Sequence, residues 1–254
     1  MKSILVPIFL AIYCPLVAAQ NAQVDTFAEP MMSYNPLKDI SVYDINQHTN
    51  LNPSFDGRMY HFNYPVGQQL DLLFTHKGYK TTQSGTFTVP SKGFTGEHNN
   101  ISWQAIPSFL WFLVKNIVEL DTSTQMNNSD CQVIATVTAY DRTLDDDPQG
   151  EPNATVNLQN VKTGETGVGF DKTYYFGILG GKTLPIPGLK ETTADGGVIF
   201  MNVQPGQYKI IAEKAGVQFS QPEFNCDPTI WKAEGKNELD VINLSPPQGP
   251  IVLK

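Results

Sequence analysis

The chain has 254 residues, a formal net charge of −8 and three cysteines. This length provides for one large or two ordinary domains with substantial hydrophobic cores. The excess of acidic side chains argues against nucleic acid and against an anionic membrane surface as partners.

Residues 1–19 have the pattern of a signal peptide. Lys2 gives a basic start, Ile4–Leu16 is apolar, and Val17-Ala18-Ala19 offers a small-residue cleavage site. Tyr13 is too large for the cleavage box of a lipoprotein, so no lipid anchor is expected on Cys14. The sequence therefore predicts a secreted or periplasmic protein whose mature chain is freely released.

The mature chain has the pattern of an all-β protein. Alternating or β-branched runs are bounded by Gly, Pro, Asn and Asp at short intervals, as in Val133–Tyr140, Val198–Val203 and Gln207–Glu213. Residues 20–37 are polar with little periodicity, and we expect a flexible arm or an edge strand there.

An internal repeat is the most informative feature of the sequence. Asp56–Asn63 can be laid over Asp195–Asn202, with Asp, Gly and Asn shared at an offset of 139 residues. Further matches follow in order, at Gly67-Gln68 with Gly206-Gln207 and, after a one-residue slip, at Gly78 with Gly216. A duplicated domain explains this order, with one copy in residues 38–104 and one in 126–254, the latter ending in an extended tail. The alternative is convergent use of turn residues by unrelated hairpins.

Residues 105–125, between the two copies, predict a helix. Apolar residues recur at helical spacing along Ile106–Val118, and Pro107-Ser108 suits a helix start. The apolar stretch is about 16 residues long and is interrupted by charges, which is too short for a membrane span. Trp111 and Phe112 widen its apolar face. The helix is thus either a linker buried between domains or a docking surface, including a homodimer through residues 106–120.

Cys131 and Cys226 are the two cysteines that remain after the leader. In an oxidising compartment we expect them to form a disulfide. The bond would close a loop of about 95 residues and contribute about 4 to 5 kcal/mol on the chain-entropy model. A reactive or metal-binding pair is the alternative, but neither cysteine has a neighbouring histidine or CxxC spacing.

No catalytic constellation is recognisable, so we expect a non-enzymatic protein. The chain lacks a Gly-x-Ser-x-Gly elbow and a His-Glu-x-x-His motif. Gly177–Thr183 resembles a phosphate-binding loop but has Phe176 where the first glycine is needed. His61 and His76 lie on two predicted strands and could face one another, although solvated histidines are the commoner case.

Four carboxylates fall within seven residues of one predicted loop. They are Asp145, Asp146, Asp147 and Glu151. Calcium is chemically possible there because hard cations prefer oxygen ligands, but the spacing is not that of an EF-hand loop. A solvated acidic loop is the alternative. No other cofactor is expected.

Asp195–Tyr208 resembles the signature hairpin of carboxypeptidase regulatory-like domains, which have the transthyretin-like (prealbumin-like) sandwich. Pro152–Val156 resembles the upstream strand of that family and Val137–Asp141 its first strand. The resemblance covers residues 131–245 well and 38–104 more weakly. It implies two tandem Ig-like/transthyretin-like antiparallel β-sandwich domains joined by one apolar helix. It implies little about function, because such domains are accessories to many proteins.

The leading hypothesis is an exported, non-enzymatic binding or adhesion protein that recognises a surface, matrix or host ligand, a protein or a glycan, through sandwich loops. The candidate surfaces are the acidic loop 145–151 and a predicted aromatic loop formed by Tyr174, Tyr175 and Phe176. The alternative is an accessory or assembly subunit of a secreted complex, docking through Trp111 and Phe112. A hydrolytic enzyme and a calcium-binding module are the remaining alternatives.

Overall fold

The computed structural model describes residues 20–31, 33, 35–96, 99–121, 125–127, 129–140, 142–143, 146–233, 241–244 and 250–251. The predicted leader 1–19, Asp145 and most of the predicted tail therefore lie outside the described residues.

The described strands fall into two groups, one on each side of a helix. The first group is β1 (Asn21–Pro30), β2 (Ser41–Asp44), β3 (Thr49–Leu51), β4 (Ser54–Phe55), β5 (Met59–Pro65), β6 (Gln69–Thr75), β7 (Thr82–Thr88) and β8 (Ile101–Ala105). Helix α1 (Ser108–Asp121) follows. The second group is β9 (Cys131–Thr136), β10 (Thr155–Asn160), β11 (Lys172–Leu179), β12 (Lys182–Ile186), β13 (Gly197–Val203), β14 (Gly206–Glu213), β15 (Gln218–Phe219), β16 (Glu223–Cys226), helix α2 (Pro228–Ala233), β17 (Val241–Leu244) and β18 (Pro250–Ile251).

The amino-terminal half is a sandwich of two layers. One layer has the strand order β4-β5-β1-β8, and the other contains β3, β2, β6 and β7. Apolar side chains from both layers form one buried core, in which the rings of Phe74 and Trp103 stack with centroids 5.2 Å apart. The predicted all-β sandwich class is confirmed for this half.

Strand β1 corrects the expectation for residues 20–37. It is neither a flexible arm nor an edge strand, because it pairs antiparallel with β5 and parallel with β8. Val24 and Ala28 are fully buried on its inner face. The strand is central because both of its edges are hydrogen-bonded and its apolar residues complete the core.

The carboxyl-terminal half is also a two-layer sandwich. Strands β12, β11, β13, β9 and β17 are neighbours in one layer, and β10, β14 and β16 form the other. Their inward side chains, among them Val133, Phe200, Leu158 and Tyr208, form a second core. The predicted disulfide between Cys131 and Cys226 is confirmed and ties β9 to β16 across the two layers, with the Cα atoms 5.9 Å apart.

The same pairing scheme occurs in both halves. Strand β1 is antiparallel to β5 and parallel to β8, and in the second half β9 is antiparallel to β13 and parallel to β17. The antiparallel series β2-β6-β7 corresponds to β10-β14-β16. Within this scheme, the repeated segments of the sequence contain β5 and β6 in the first half and the corresponding β13 and β14 in the second.

The repeated Asp-Gly turns have the predicted local geometry. Gly57 and Gly196 have φ values of 107° and 78°, a region that favours glycine. Asp56 Oδ1 accepts the backbone N–H groups of Arg58 and Met59, and Asp195 Oδ1 accepts that of Gly197. The carboxylate and the glycine therefore fix the turn together in both copies.

The predicted signature hairpin 195–208 is corrected. Strands β13 and β14, which are connected by Gln204-Pro205, do not pair with each other. Strand β13 lies between β9 and β11, whereas β14 lies between β10 and β16. The Pro-Gly element crosses from one layer to the other because Phe200 and Tyr208 enter the core from opposite layers.

The two halves are joined by strand pairing as well as by the helix. Strand β7 pairs with β16 at Thr86 and, in parallel, with β17 at Thr82 and Gln83. Ile45 and Leu73 of the first half are part of the second core. A single hydrogen-bonded sheet therefore runs from the first half into the second.

Helix α1 lies within the predicted range 105–125 and begins at the predicted Ser108. Leu110, Val114 and Val118 pack on the outer face of the second half, against residues such as Ile199 and Met201. The helix thus covers one layer rather than filling a gap between separate domains. None of the described helices has the length and apolar character needed to cross a membrane.

Candidate functional site: an acid-walled cavity

A cavity of about 470 Å³ lies where the end of β1 meets the β11–β12 hairpin and residues 146–149. Four carboxylate side chains contribute to its wall, namely Glu29, Asp146, Asp147 and Asp195. Among the described residues, no lysine, arginine or histidine lines it. The cavity is therefore a concave site of negative charge.

Apolar side chains supply the remaining wall. Met31 and Ile134 contribute to it, together with Phe176 from strand β11. Ile178 also lines the cavity and is largely exposed to solvent, so it forms an apolar rim. The mixture of acidic and apolar surface suits a ligand with a charged end and an apolar stem.

The carboxylates are positioned by the strand ends and turns of both halves. Glu29 is buried at the end of β1, where it stands opposite Gln104 of β8 in the sheet register. Asp195 belongs to the second Asp-Gly turn. Burial raises the pKa of its carboxyl, the N–H of Gly197 acts against this, and the charge of Asp147 adds to the rise. Negative charges are thus crowded at this wall.

The acidic loop contributes two of its four predicted residues. Asp146 Oδ2 accepts the Thr143 N–H at 2.7 Å, and its Oδ1 lies 3.9 Å from the guanidinium of Arg142. Asp147 is exposed at the cavity wall. Glu151 forms an ion pair with Lys214 instead, and Asp145 lies outside the described residues.

The described part of the loop does not converge as a calcium site would. No group of three or more His, Cys, Asp or Glu side chains among the described residues is arranged to hold a metal ion. Because Glu151 is ion-paired with Lys214, the loop does not bring all its carboxylates to one point.

The predicted aromatic loop is corrected. Tyr174, Tyr175 and Phe176 lie on strand β11, which pairs with β12 on one edge and β13 on the other. Tyr174 and Phe176 are buried under helix α1, and Tyr175 is in the second core, where its hydroxyl accepts the Val156 N–H at 2.9 Å. None of the three forms a free surface, and only Phe176 reaches the cavity.

The two helix residues predicted for docking point in different directions. Trp111 is buried against the second half, whereas Phe112 is 64% exposed. Phe109, at 63%, and Leu120, at 87%, are exposed on the same helix. These three residues lie on one side of the helix, with Asn116 between Phe112 and Leu120, and are called the exposed apolar stripe. Trp111 is excluded from it because helical spacing turns it toward the sheet.

The two histidines predicted to lie on strands do not face one another, since His61 lies on β5 and His76 follows the end of β6. His76 Nδ1 is 2.9 Å from the Lys77 carbonyl oxygen and its ring lies edge-on to Tyr79. His61 lies between two carboxylates, with Nδ1 2.8 Å from Asp25 Oδ1 and Nε2 3.1 Å from Asp56 Oδ2. Sequence reasoning missed this cluster, because Asp25 is 36 residues away and in a segment without periodicity.

Glu29 and Asp195 were also missed as site residues. The sequence identifies Asp195 only as a turn residue, and Glu29 lies in the segment expected to be an arm or edge. The acidic loop is the one signal that indicates the cavity, since Asp146 and Asp147 line it.

Comparison with known proteins gives only remote similarities. No protein-family model and no curated protein matches the chain. A Streptococcal ancillary pilin is 10% identical, with 91% of this chain and 68% of that one covered and a TM-score of 0.28. The shaft pilin SpaA from Lactobacillus rhamnosus GG is 10% identical, with 93% and 100% covered and a TM-score of 0.25.

The Bacillus anthracis TIE protein is 14% identical at a TM-score of 0.25, with 88% of this chain covered. The present chain spans about a third of that protein's length, since 33% of it is covered. At such TM-scores the similarity carries no conclusion about function.

Proposed function

We propose that this protein is an exported, non-enzymatic binding protein that holds a basic side chain of a protein ligand in the acid-walled cavity. The observation that carries the proposal is the convergence of Glu29, Asp146, Asp147 and Asp195 on one cavity without a lining basic residue. Carboxylates gathered at one wall repel one another, and a cationic ligand relieves that repulsion.

The apolar part of the wall favours lysine or arginine over a small cation. Either side chain can lay its methylene stem along Met31 and the rim residue Ile178 while its charged head meets the carboxylates. A neutral glycan would not be attracted by the negative charge of this wall, so a protein ligand with a basic side chain is favoured.

We also propose that the two halves are tandem copies of a carboxypeptidase regulatory-like sandwich. The repeated Asp-Gly turns and the repeated strand pairing support the duplication. Export of the protein rests on residues 1–19, which have the pattern of a signal peptide.

Fluorescence anisotropy tests whether the cavity binds a basic side chain. It compares the binding of short peptides that have a central lysine or arginine with that of matched peptides that have glutamine at the same position. We expect the cationic peptides to bind more tightly than the glutamine peptides, and we expect their affinity to fall as salt is added. Asp147→Asn should lower the affinity for the cationic peptides about threefold to tenfold, because it removes one negative charge from the cavity wall. Glu165→Gln, an exposed acidic residue outside the cavity wall, should leave binding unchanged. Equal binding of cationic and glutamine peptides would reject the proposal.

A second function, assembly through the exposed apolar stripe, is favoured by a specific observation. Phe109, Phe112 and Leu120 are all more than half exposed on one helix, and exposed apolar clusters mark interaction sites. Light scattering on the mature chain tests this, with a homodimer as the expected state. Phe112→Ser should yield monomers, whereas Tyr140→Ser, at a comparably exposed aromatic residue, should not. A monomeric wild-type protein at high concentration would reject self-assembly.

A further inference from the structure

His61 connects three segments of the amino-terminal half. The residue lies on β5, Asp25 lies on β1, and Asp56 lies in the turn between β4 and β5. Asp25 Oδ2 also accepts the N–H of Gly96 at 3.0 Å, so the connection between β7 and β8 is attached to the same carboxylate. One imidazole ring thus stands at the centre of a polar network that joins these segments.

Both ring nitrogens of His61 face acceptors. Asp25 Oδ1 accepts from Gln23 Nε2 at 2.7 Å and lies 2.8 Å from His61 Nδ1. Asp56 Oδ1 accepts the N–H groups of Arg58 and Met59, and its Oδ2 faces His61 Nε2. A neutral imidazole has only one N–H, whereas an imidazolium has two. The observed arrangement is therefore satisfied fully only when His61 is protonated.

The pKa values of the three groups agree with this geometry. Hydrogen bonding to Asp25 raises the pKa of His61, burial opposes the rise, and Asp56 adds to it. Burial would raise the pKa of Asp25, but hydrogen bonds from Gln23, His61 and Gly96 together hold it below its usual range. The N–H groups of Met59 and Arg58 lower the pKa of Asp56 to about 2.

The two carboxylates differ in how firmly they hold the ring. The Asp25 side chain is only 6% exposed and makes the shorter contact, whereas that of Asp56 is 54% exposed. When one N–H is lost, the remaining proton stays on the buried partner, because an uncompensated buried carboxylate costs more than a solvated one. Asp56 is therefore the carboxylate that loses its hydrogen bond to the His61 ring.

We propose that His61 is a pH-operated latch, which as an imidazolium holds the 56–58 turn against strand β1 and on deprotonation releases it. The turn covers an apolar pair. The Arg58 guanidinium lies 5.5 Å from the centroid of the Phe27 ring, and Phe27 and Met59 form a small buried cluster. Release therefore exposes an apolar patch as the pH rises.

Among the described residues, the charged groups that act on the His61 ring are Asp25 from β1 and Asp56 from the turn, whereas Arg58 of the same turn lies over Phe27. From β4, the Ser54 hydroxyl donates to the His61 carbonyl oxygen at 3.4 Å. In the β7–β8 connection, Glu97 and His98 follow Gly96 and lie outside the described residues.

NMR of the full chain and amide exchange of residues 55–62 test the latch together. We expect the His61 imidazole to titrate above 6.5 and the amides of Arg58 and Met59 to lose protection about fivefold or more as it deprotonates. Protection is compared after correction for intrinsic exchange rates. An imidazole that is already neutral at pH 6, or protection that does not change through the titration, would overturn the proposal.

Two variants separate the latch from general pH effects. His61→Gln should abolish the pH step in protection, whereas His76→Gln, at a half-buried histidine whose ring contacts the Lys77 carbonyl oxygen and Tyr79, should retain it. Asp56→Asn leaves the buried Asp25–His61 pair in place and should also abolish the step. A step that persists in Asp56→Asn would contradict the role of Asp56 as the released residue.

Discussion

Asp71 shows at the scale of one residue how the junction of the two halves depends on a buried acid. Its carboxylate accepts from Gln83 Nε2 at 3.2 Å and from the Thr86 hydroxyl at 3.1 Å. The same Gln83 amide donates to the Asn225 carbonyl oxygen of β16 at 2.8 Å. Burial raises the pKa of Asp71 to about 7, the hydrogen bonds oppose this, and the charge of Asp44 adds to it.

This raised pKa predicts that the protein loses stability between mildly acidic and neutral pH. Folding favours the neutral form of the Asp71 carboxyl. The contribution of this group to the free energy of unfolding is therefore complete below its pKa in the unfolded chain, near 4, and is lost as the pH rises through about 7. Asp71→Asn should flatten this dependence, with a difference on the order of 3 kcal/mol between pH 4 and 8. Urea denaturation at a series of pH values measures it. Glu191→Gln, at an exposed carboxylate, is the control, and equal slopes in Asp71→Asn and wild type would contradict the prediction.

Other residue-scale assignments follow from chemistry that the sequence displays directly. The two Asp-Gly turns were predictable because a carboxylate cap and a glycine with positive φ are local requirements. The Cys131–Cys226 bond was predictable because two cysteines remain outside the predicted leader. The contacts of His61 were not, since nothing local indicates that Asp25 will lie beside it.

Helix α1 shows at the scale of an element what periodicity can and cannot predict. Its helical spacing and its start at Ser108 were read from the sequence. Eight of its first twelve residues are apolar, so its apolar surface is wider than one face and the sequence did not settle which part of it would be buried. Packing against Ile199 and Met201 made that choice, burying Trp111 and leaving Phe109 and Phe112 exposed.

Two leucines of this helix provide a matched prediction. Leu110 is 0% exposed and Leu120 is 87% exposed. Leu110→Ala should lower the free energy of unfolding by about 2 to 5 kcal/mol, because it leaves a cavity in the core, whereas Leu120→Ala should change it by less than about 0.5 kcal/mol. Chemical denaturation of both variants measures the difference. Similar costs for the two substitutions would contradict the assigned burial.

Strand β7 shows at the scale of the whole molecule why the two halves form one body. It pairs with β6 of its own half and with β16 and β17 of the other. Leu73 of β6 is part of the core of the second half. A repeat in the sequence predicts two similar units, but it does not predict that an edge of one will pair with strands of the other.

The shared sheet predicts that both halves unfold together. Separating them would expose the β7 edge and the side chains of Ile45 and Leu73, so neither half keeps its full core alone. Hydrogen exchange with mass spectrometry at increasing guanidinium should show β5 and β13 losing protection at the same concentration. Loss of protection in one half while the other remains protected would show independent domains.

The sequence by itself determined the strand-rich character, the turn positions, the disulfide and the helix. Each of these depends on covalent chemistry, on composition or on preferences between neighbouring residues. The tertiary structure alone decided which strands share a layer, that Tyr174, Tyr175 and Phe176 are buried, and that Glu29 and Asp195 meet the acidic loop at one cavity. These outcomes depend on contacts between residues far apart in the chain, where many local patterns are compatible with more than one packing.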